Sequence, residues 1–147
     1  MASEQSQNYA NHARLVPAYH VWLTALIAAG LIGSCVNLYS SLGDHQRIYS
    51  ASLIVVLEIV AVLLFVFCRT FALKAQDRAI RAEENLRHFV LTGKLLDPRL
   101  DPLQIVALRF ASDGEFVALA AQAAEQNMPP KAIKQAIKNW RPDYYRV

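Results

Sequence analysis

The sequence predicts an all-α fold: a two-helix transmembrane hairpin, then a long helix and a small cytoplasmic helical module. Two apolar runs, 20–42 and 49–68, are each long enough to cross the roughly 30 Å hydrocarbon core of a bilayer. No glycine or proline occurs from residue 49 to residue 92, so the second run should continue as a helix beyond the membrane. Residues 94–147 then carry the start and stop signals of three short helices.

The composition fits an integral membrane protein. Hydrophobic residues make up 54% of the chain, which is high for a soluble domain, and the excess lies in the two runs. Thirteen of the 15 lysines and arginines lie at or beyond Arg69, together with nine of the 12 acids. The tail is therefore of mixed charge and does not resemble a polybasic arm.

Residues 1–19 form the first predicted segment, which is polar and precedes the first span. A freely mobile end would not need the tyrosines, His12 and Arg14 that this segment contains. We expect it to fold back on the cytoplasmic domain, with His12 or Arg14 paired with an acid of the long helix. The candidate acids are Asp77, Glu83 and Glu84.

Residues 20–68 form the hairpin, and the charges that flank it predict its orientation. Gly43 and Asp44 mark a short turn between the spans, in which Arg47 is the only arginine or lysine. The second span is followed directly by a cluster of cations, so the positive-inside rule places the tail in the cytoplasm. That cluster comprises Arg69, Lys74, Arg78 and Arg81. A hairpin with a cytoplasmic tail also has a cytoplasmic N-terminus.

An alternative for the first run is a lipoprotein signal that ends at Cys35. Residues 32–35, Ile-Gly-Ser-Cys, loosely match a lipoprotein cleavage box. The preceding polar stretch of about 20 residues with one arginine lacks the compact basic start of a signal peptide. We therefore treat Cys35, like Cys68, as a small apolar side chain packed among helices.

The second span carries one acid, Glu58, near its middle. A central charge costs roughly 2.5–3.5 kcal/mol on insertion, which the surrounding Leu, Ile, Val and Phe residues offset. Neither span offers a central Lys, Arg or His as a partner. Glu58 is therefore expected to act as a hydrogen-bonding carboxylic acid between helices, to conduct protons or ions, or to contact a partner subunit.

Small residues predict a packing face on the first span. Ala25, Ala29 and Gly33 recur every four residues and leave one side of the helix flat. Such a face lets another helix approach closely, either the second span or a helix of another protomer.

Residues 69–93 are predicted to extend the second helix into the cytoplasm, with Gly93 as its stop. This extension carries a heptad-like pattern of apolar residues at alternating spacings of three and four. Dimerisation through this pattern and docking of the tail's own later helices explain it equally well. The residues concerned are Ala72, Ala75, Ala79, Ala82, Leu86 and Phe89, which we call the seam.

Residues 94–147 are predicted to form a module of three short helices. Asp101 is placed to cap the first helix, with Pro102 at its first position. Ser112 and Glu115 fit a capping box for the second helix. The third helix is predicted over residues 131–140, ended by Pro142.

The third helix should present a basic face made of Lys131, Lys134 and Lys138. Such a face is typical of a solvated surface, and it can also lie against anionic lipid head groups. A helix-turn-helix comparison fails because Pro129 and Pro130 fall at the start of the would-be recognition helix. We do not expect the module to bind nucleic acid.

No constellation of residues predicts catalysis. The four histidines, His12, His20, His45 and His88, are scattered, and no nucleophile with its base, phosphate-binding loop or metal motif occurs. We expect a protein that is not an enzyme and that carries no cofactor or metal.

Several strings together resemble a family of small bacterial two-span membrane proteins, a domain of unknown function. They include QNYANHARLVPAYH at 7–20, RTFALKAQDRAIRAEENLRHFVLTGK at 69–94, ALRFASDGEFVALA at 107–120 and IKNWRPDYYRV at 137–147. The resemblance covers essentially the whole chain. It implies a multi-pass protein of the bacterial inner membrane with a cytoplasmic helical tail, and it implies no activity, cofactor or partner.

The sequence therefore predicts a membrane-anchored scaffold or regulator that oligomerises or docks a partner membrane protein through its cytoplasmic helices. One alternative is an oligomeric ion or proton pathway that uses Glu58. Another is a membrane-tethered nucleic-acid-binding module.

Overall fold

The computed structural model describes residues 7–144, and the all-α fold class is confirmed. The chain divides into two compact units. The hairpin unit is Leu15–Phe71, and the tail unit combines Met1–Arg14 with Ala72–Val147. The described part contains no β-strand, only an isolated bridge between Ala111 and Trp140. Of the predicted segments 1–19 and 94–147, the first six and the last three residues lie outside the described range.

The first helix begins with a π-helical turn, Ala18–Leu23, which leads into α1, Thr24–Ser40. Tyr19 in this turn contacts the second helix of the hairpin. Its hydroxyl donates to the Phe65 carbonyl over 2.8 Å, and the two rings stack with centroids 4.5 Å apart. The guanidinium of Arg69 lies 5.9 Å from the centre of the Tyr19 ring. Tyr19 thus ties the start of the first helix to α2, Ile48–Thr92.

The turn between the helices is the one expected from the sequence. Gly43 has a φ of +94°, a conformation that side chains other than glycine rarely adopt. The Asp44 carboxylate accepts the backbone N–H groups of Gln46 and Arg47 over 3.0 and 3.3 Å. These bonds satisfy amide groups at the entry to α2.

The long helix α2 has 45 residues and ends where the sequence predicted. Gly93 follows it with a φ of +72°, and its N–H donates to the Phe89 carbonyl over 2.7 Å. This is the left-handed C-terminal arrangement that favours glycine. His88 adds to the closure, because its Nδ1 lies 2.7 Å from the Lys94 carbonyl oxygen.

Two helices are long and apolar enough to cross a membrane: Ala18–Ser40, which includes the π turn, and Ile48–Thr92. In each, only 6% of the most apolar window is buried within the protein. The apolar surface is therefore not the covered core of a soluble fold. By their length and composition, the two helices suggest a membrane protein.

The tail unit has its own hydrophobic core, built by α3, Pro102–Leu108, α4, Asp113–Gln126, and α5, Pro130–Ala136. The largest fully buried side chains are Leu108, Phe110, Phe116 and Ile133. Asn127 ends α4 in the left-handed conformation, with a φ of 46°. The following prolines then start α5. This order of three helices is the predicted one.

A capping box forms at Asp101, where the sequence predicted only a cap and a first-position proline. The Asp101 carboxylate accepts the N–H groups of Leu103 and Gln104 over 2.7 and 2.9 Å. The Gln104 side chain accepts the Asp101 N–H over 2.8 Å, which completes the reciprocal pair.

The capping box predicted at Ser112 and Glu115 is wrong. Ser112 is the N-cap of α4, but its side chain makes no capping hydrogen bond. The Glu115 carboxylate instead accepts the backbone N–H groups of Lys138 and Asn139, over 3.2 and 2.9 Å. A distant segment thus takes the acceptor that the local motif requires.

The same contacts correct the length of the last helix. It was predicted over 131–140, whereas α5 ends at Ala136 and Ile137 is extended with a ψ of 122°. Beyond it the chain pairs with the α3–α4 connection: Ser112 N–H donates to the Asn139 carbonyl over 3.0 Å, and Arg141 N–H donates to the Phe110 carbonyl over 2.7 Å. These bonds replace the helical ones.

Replacing Asp101 with alanine should destabilise the tail unit by about 1 kcal/mol, because two amide groups lose their acceptor. Ser112→Ala is the matched control, since Ser112 makes no side-chain capping bond. Thermal unfolding of the full chain in detergent, followed by circular dichroism, measures both. Equal losses in the two variants would contradict the assignment of the box to Asp101.

Candidate functional site

Glu58 lies against a glycine of α1. A Cβ atom placed on Gly30 would lie 2.8 Å from Glu58 Oε1 and 3.0 Å from both Cδ and Oε2. The carboxyl therefore occupies the space that a side chain at position 30 would fill. Among the described residues Glu58 makes no hydrogen bond or ion pair. We call the Gly30–Glu58 contact the glycine notch; it sets a carboxyl group of the second span against the backbone of the first.

The hairpin packs through a different face of α1 from the one expected. Ala25, Ala29 and Gly33 are exposed, and nothing lies within 4 Å of a Cβ placed on Gly33. The buried small residues are Ser34 in α1, Ser41 in the turn and Ala51 in α2. The second span does not use the predicted face, so packing against another protomer remains the prediction for those three residues.

A glycine comparison tests the notch. Gly33→Ala should leave the stability of the hairpin unchanged or raise it, because alanine is the better helix former. Gly30→Ala should be worse than Gly33→Ala by about 1 kcal/mol, since the new methyl group displaces the Glu58 carboxyl. Thermal unfolding in detergent measures the difference.

A Glu58→Ala background provides the control for this comparison. Removing the carboxyl should make the two glycine variants equivalent, which gives a coupling of about 1 kcal/mol in a double-mutant cycle. Equal behaviour of Gly30→Ala and Gly33→Ala in the wild-type background would contradict the contact.

The N-terminal segment packs on the tail unit, where His12 sits among aromatic rings. Its ring centroid lies 5.8 Å from that of Phe110 and 5.7 Å from that of Trp140. Nε2 lies 3.1 Å from the Lys134 ammonium, and Nδ1 lies 2.7 Å from the Tyr9 carbonyl oxygen. Because an ammonium only donates, His12 Nε2 accepts and Nδ1 carries the proton.

Other bonds hold the same segment to the chain end. Gln7 is buried and exchanges two hydrogen bonds with the Asp143 backbone, at 2.7 and 3.4 Å. Arg14 donates to the Tyr144 carbonyl over 2.9 Å. Asp77, Glu83 and Glu84, the acids named from the sequence, are not the partners of His12 or Arg14 in the described residues. The segment instead contacts the backbone of Asp143 and Tyr144, the Lys134 ammonium and aromatic rings.

Replacing His12 with alanine should loosen the N-terminal segment, because its contacts with Phe110 and Trp140 are lost. The expected result is a several-fold faster tryptic cleavage after Arg14 in the full-length protein. His45→Ala in the exposed hairpin turn should leave that rate unchanged. An unaltered rate in both variants would show that His12 does not hold the segment.

Glu84 anchors a buried ion-pair network on α2. It is 4% exposed and binds Arg87 over 2.9 Å and Arg141 over 3.3 Å. Arg87 also binds Asp113, donates to the Ala111 carbonyl over 2.7 Å and lies 4.2 Å from the Phe116 ring centre. A buried carboxylate needs such compensation. The network thus joins α2, the start of α4 and the C-terminal segment.

The network was missed from the sequence for a simple reason. The spacing of Glu84 and Arg87 is that of a helical ion pair, and ordinary surface pairs have it too. Nothing local indicates that Arg141, far along the chain, would be the second partner. Gln7 was missed likewise, because a polar residue near an N-terminus carries no burial signal.

The three lysines do not form the predicted basic face. Lys131 lies in α5 and is exposed, whereas Lys134 is half-buried with its ammonium beside His12. Lys138 lies beyond the end of α5, in a bend of the chain. Because α5 is short and one lysine is engaged, the prediction of a single basic helix face is wrong.

The seam is exposed in the tail unit, apart from Ala72, which is half-buried. Leu86 and Phe89 are 63% and 49% exposed, and the neighbouring Val90 is 75% exposed. The opposite face of α2, with Ile80 and Glu84, is the buried one. Docking of the tail's own helices therefore does not account for the seam, and the alternative, dimerisation, remains a prediction.

A polar cleft of about 300 Å³ lies beside Glu84. Its charged walls pair with one another: Arg109 lies 3.1 Å from Asp143, and Arg141 binds Glu84. Within the described range, no three His, Cys, Asp or Glu side chains are placed to hold a metal ion. The cleft is lined by three carboxylates, of Glu83, Glu84 and Asp143, and by the two guanidinium groups of Arg109 and Arg141.

The connector between α2 and α3 holds an exposed ion pair. Arg99 donates to both carboxylate oxygens of Asp97, the closest contact being 2.7 Å. These hydrogen bonds lower the pKa of Asp97 to about 2 from 3.8. Both side chains are partly solvated, and the pair shapes the connector.

Comparison with known protein families identifies a match over the whole chain. The model of a family described as "Family of unknown function (DUF6526)" matches residues 1–147, the whole chain. The resemblance to a family of unknown function is thereby confirmed. No curated protein and no solved structure matches the chain.

Proposed function

We propose that this chain, which belongs to the family of unknown function DUF6526, is a non-enzymatic membrane-anchored scaffold that binds through its cytoplasmic helices. One observation carries the proposal: α2 runs from an uncovered apolar segment into a tail unit whose outward seam is also apolar. The first part of α2 can anchor the chain in a membrane, and the seam on its later part can bind another protein, as a docking protein requires.

The anchoring step rests on exposed apolar side chains in the two candidate spans. In α1 and its π turn, Trp22, Leu26 and Ile32 are each more than 60% exposed. In α2, Leu57 is 66% exposed. Water would penalise such surface heavily, and lipid would not.

The topology of the proposal follows from the tail unit. Residues 7–14 pack with residues 72–144, so both segments lie on one side of any membrane that the hairpin crosses. The cations that follow residue 68 favour the cytoplasmic side. The bacterial inner membrane belongs to the same proposal and is supported by the resemblance of the sequence.

The non-enzymatic role is supported by what the polar groups contact. His88 closes the end of α2, His12 packs among rings, and Glu84 compensates two arginines. Each of these groups is engaged in holding the fold. In the described part of the tail unit, the seam residues from Ala75 to Phe89 are, in contrast, exposed.

Membrane anchoring is tested by alkaline carbonate washing of membranes that contain the full chain. Wild type should stay in the pellet. Leu57→Arg/Val60→Arg should be released, because each central arginine costs roughly 2.5–3.5 kcal/mol. The matched control, Leu95→Arg/Leu103→Arg, changes two exposed leucines of the tail unit and should stay in the pellet. Release of wild type would contradict the proposal.

The glycine notch favours a second candidate function, a proton or ion pathway in an oligomer. Glu58 makes no hydrogen bond within the described residues and faces a helix backbone across the notch, so it can serve another helix or an ion. The scaffold proposal predicts that vesicles with wild type or Glu58→Gln leak protons equally slowly. A leak that only wild type supports would favour the pathway.

A further inference from the structure

We propose that the occupant of the seam is a second copy of this chain, bound as a parallel, in-register coiled coil over residues 72–90. The inference rests on the proposed membrane anchoring and deepens it by naming the partner. It is carried by the heptad positions, the exposure and the charges of α2 in the tail unit.

The seam residues occupy the two core positions of three consecutive heptads. Ala72, Ala79 and Leu86 are at a, and Ala75, Ala82 and Phe89 are at d. Alanine in the first two heptads lets two backbones approach closely. Leu86 and Phe89, both largely exposed, then supply the bulk of the buried apolar surface.

The tail unit packs on the opposite side of the same helix. Ile80 and Arg87 are at b, Glu84 is at f, and all three face the module's own helices and connections. The outer positions of a coiled coil are the ones that a dimer leaves uncovered. The module and a second α2 can therefore bind one helix together without competing for a surface.

Charge complementarity selects a second copy and its direction. Arg78 lies at g and Glu83 lies at the following e, and both are exposed. In a parallel in-register pair, g of one helix faces the next e of its partner, so Arg78 meets Glu83 of the other copy twice by symmetry. Neither residue makes an ion pair within the described part of the chain.

An antiparallel pair would not use these charges. Its g positions face g and its e positions face e, which brings Arg78 to Asn85 and Glu83 to Gln76. A common membrane anchor imposes the parallel direction as well, because two copies with the same orientation in the bilayer have parallel helices. The charge pattern and the membrane anchor thus both favour a parallel pair of helices.

Cysteine cross-linking in membranes tests the inference. In a Cys35→Ser/Cys68→Ser background, Ala75→Cys and Ala82→Cys should each form a disulfide-linked dimer on mild oxidation, since equivalent d positions lie within disulfide range. Arg81→Cys, on the c position of the same helix, is the control and should not cross-link. In an antiparallel pair position 75 would lie far from its equivalent.

Charge exchange supplies the second readout. In the Ala75→Cys protein, Arg78→Glu and Glu83→Arg should each reduce the dimer yield several-fold, because attraction becomes repulsion at both symmetric pairs. The double exchange, Arg78→Glu/Glu83→Arg, should restore it. Arg81→Glu should have no effect.

Carbonate washing of the same membranes separates the two proposals. A chain that stays in the pellet but cross-links no more than Arg81→Cys would overturn the dimer and leave the anchor standing, with another protein or lipid on the seam. A dimer yield that neither Arg78→Glu nor Glu83→Arg reduces would overturn the parallel, in-register arrangement. Release of the chain by carbonate would be a failure of the anchor itself.

Discussion

The uninterrupted length of α2 is the constraint on which both units of this protein depend. This helix has 45 residues, and neither glycine nor proline occurs within it. The hairpin unit packs on its first part, where Ala51 is buried, and the tail unit on its later part, where Ile80 and Glu84 are buried. Each unit is therefore held by side-chain contacts along one continuous backbone.

Two acids on α2 illustrate different solutions to the same physical problem. Glu84 is buried in the tail unit and compensated by two arginines, so it fixes the C-terminal segment to the helix. Glu58 lies in an apolar segment and makes no ion pair with any described residue, and the absent side chain of Gly30 gives it room. The Glu84 carboxylate is occupied by ion pairs that hold the fold, whereas the Glu58 carboxyl can still form hydrogen bonds. That contrast is why Glu58 remains a candidate for function and Glu84 does not.

Local signals in the sequence predicted the parts of the fold that depend on local bonds. The hairpin turn at Gly43, the end of α2 at Gly93 and the cap at Asp101 all follow from neighbouring residues. The errors arose where distant segments compete for the same groups. Glu115 was assigned to its own helix, but it binds the chain around Asn139, and that pairing ends α5 early. Because α5 ends before Lys138, the prediction of a single basic helix face is wrong as well. The partners of His12 could not be predicted without knowing how Phe110 and Trp140 pack.

The central proposal is that the hairpin crosses the membrane and that residues 7–14 lie with the tail unit on one side of it. Its most direct test is two-sided labelling of single cysteines with a membrane-impermeant maleimide, in a background without Cys35 and Cys68. Cysteine at Ala10 or Lys131 should react only from the cytoplasmic side, and cysteine at His45 in the turn only from the opposite side. Reaction of positions 10 and 131 from opposite sides, or of all three from the same side, would contradict the account.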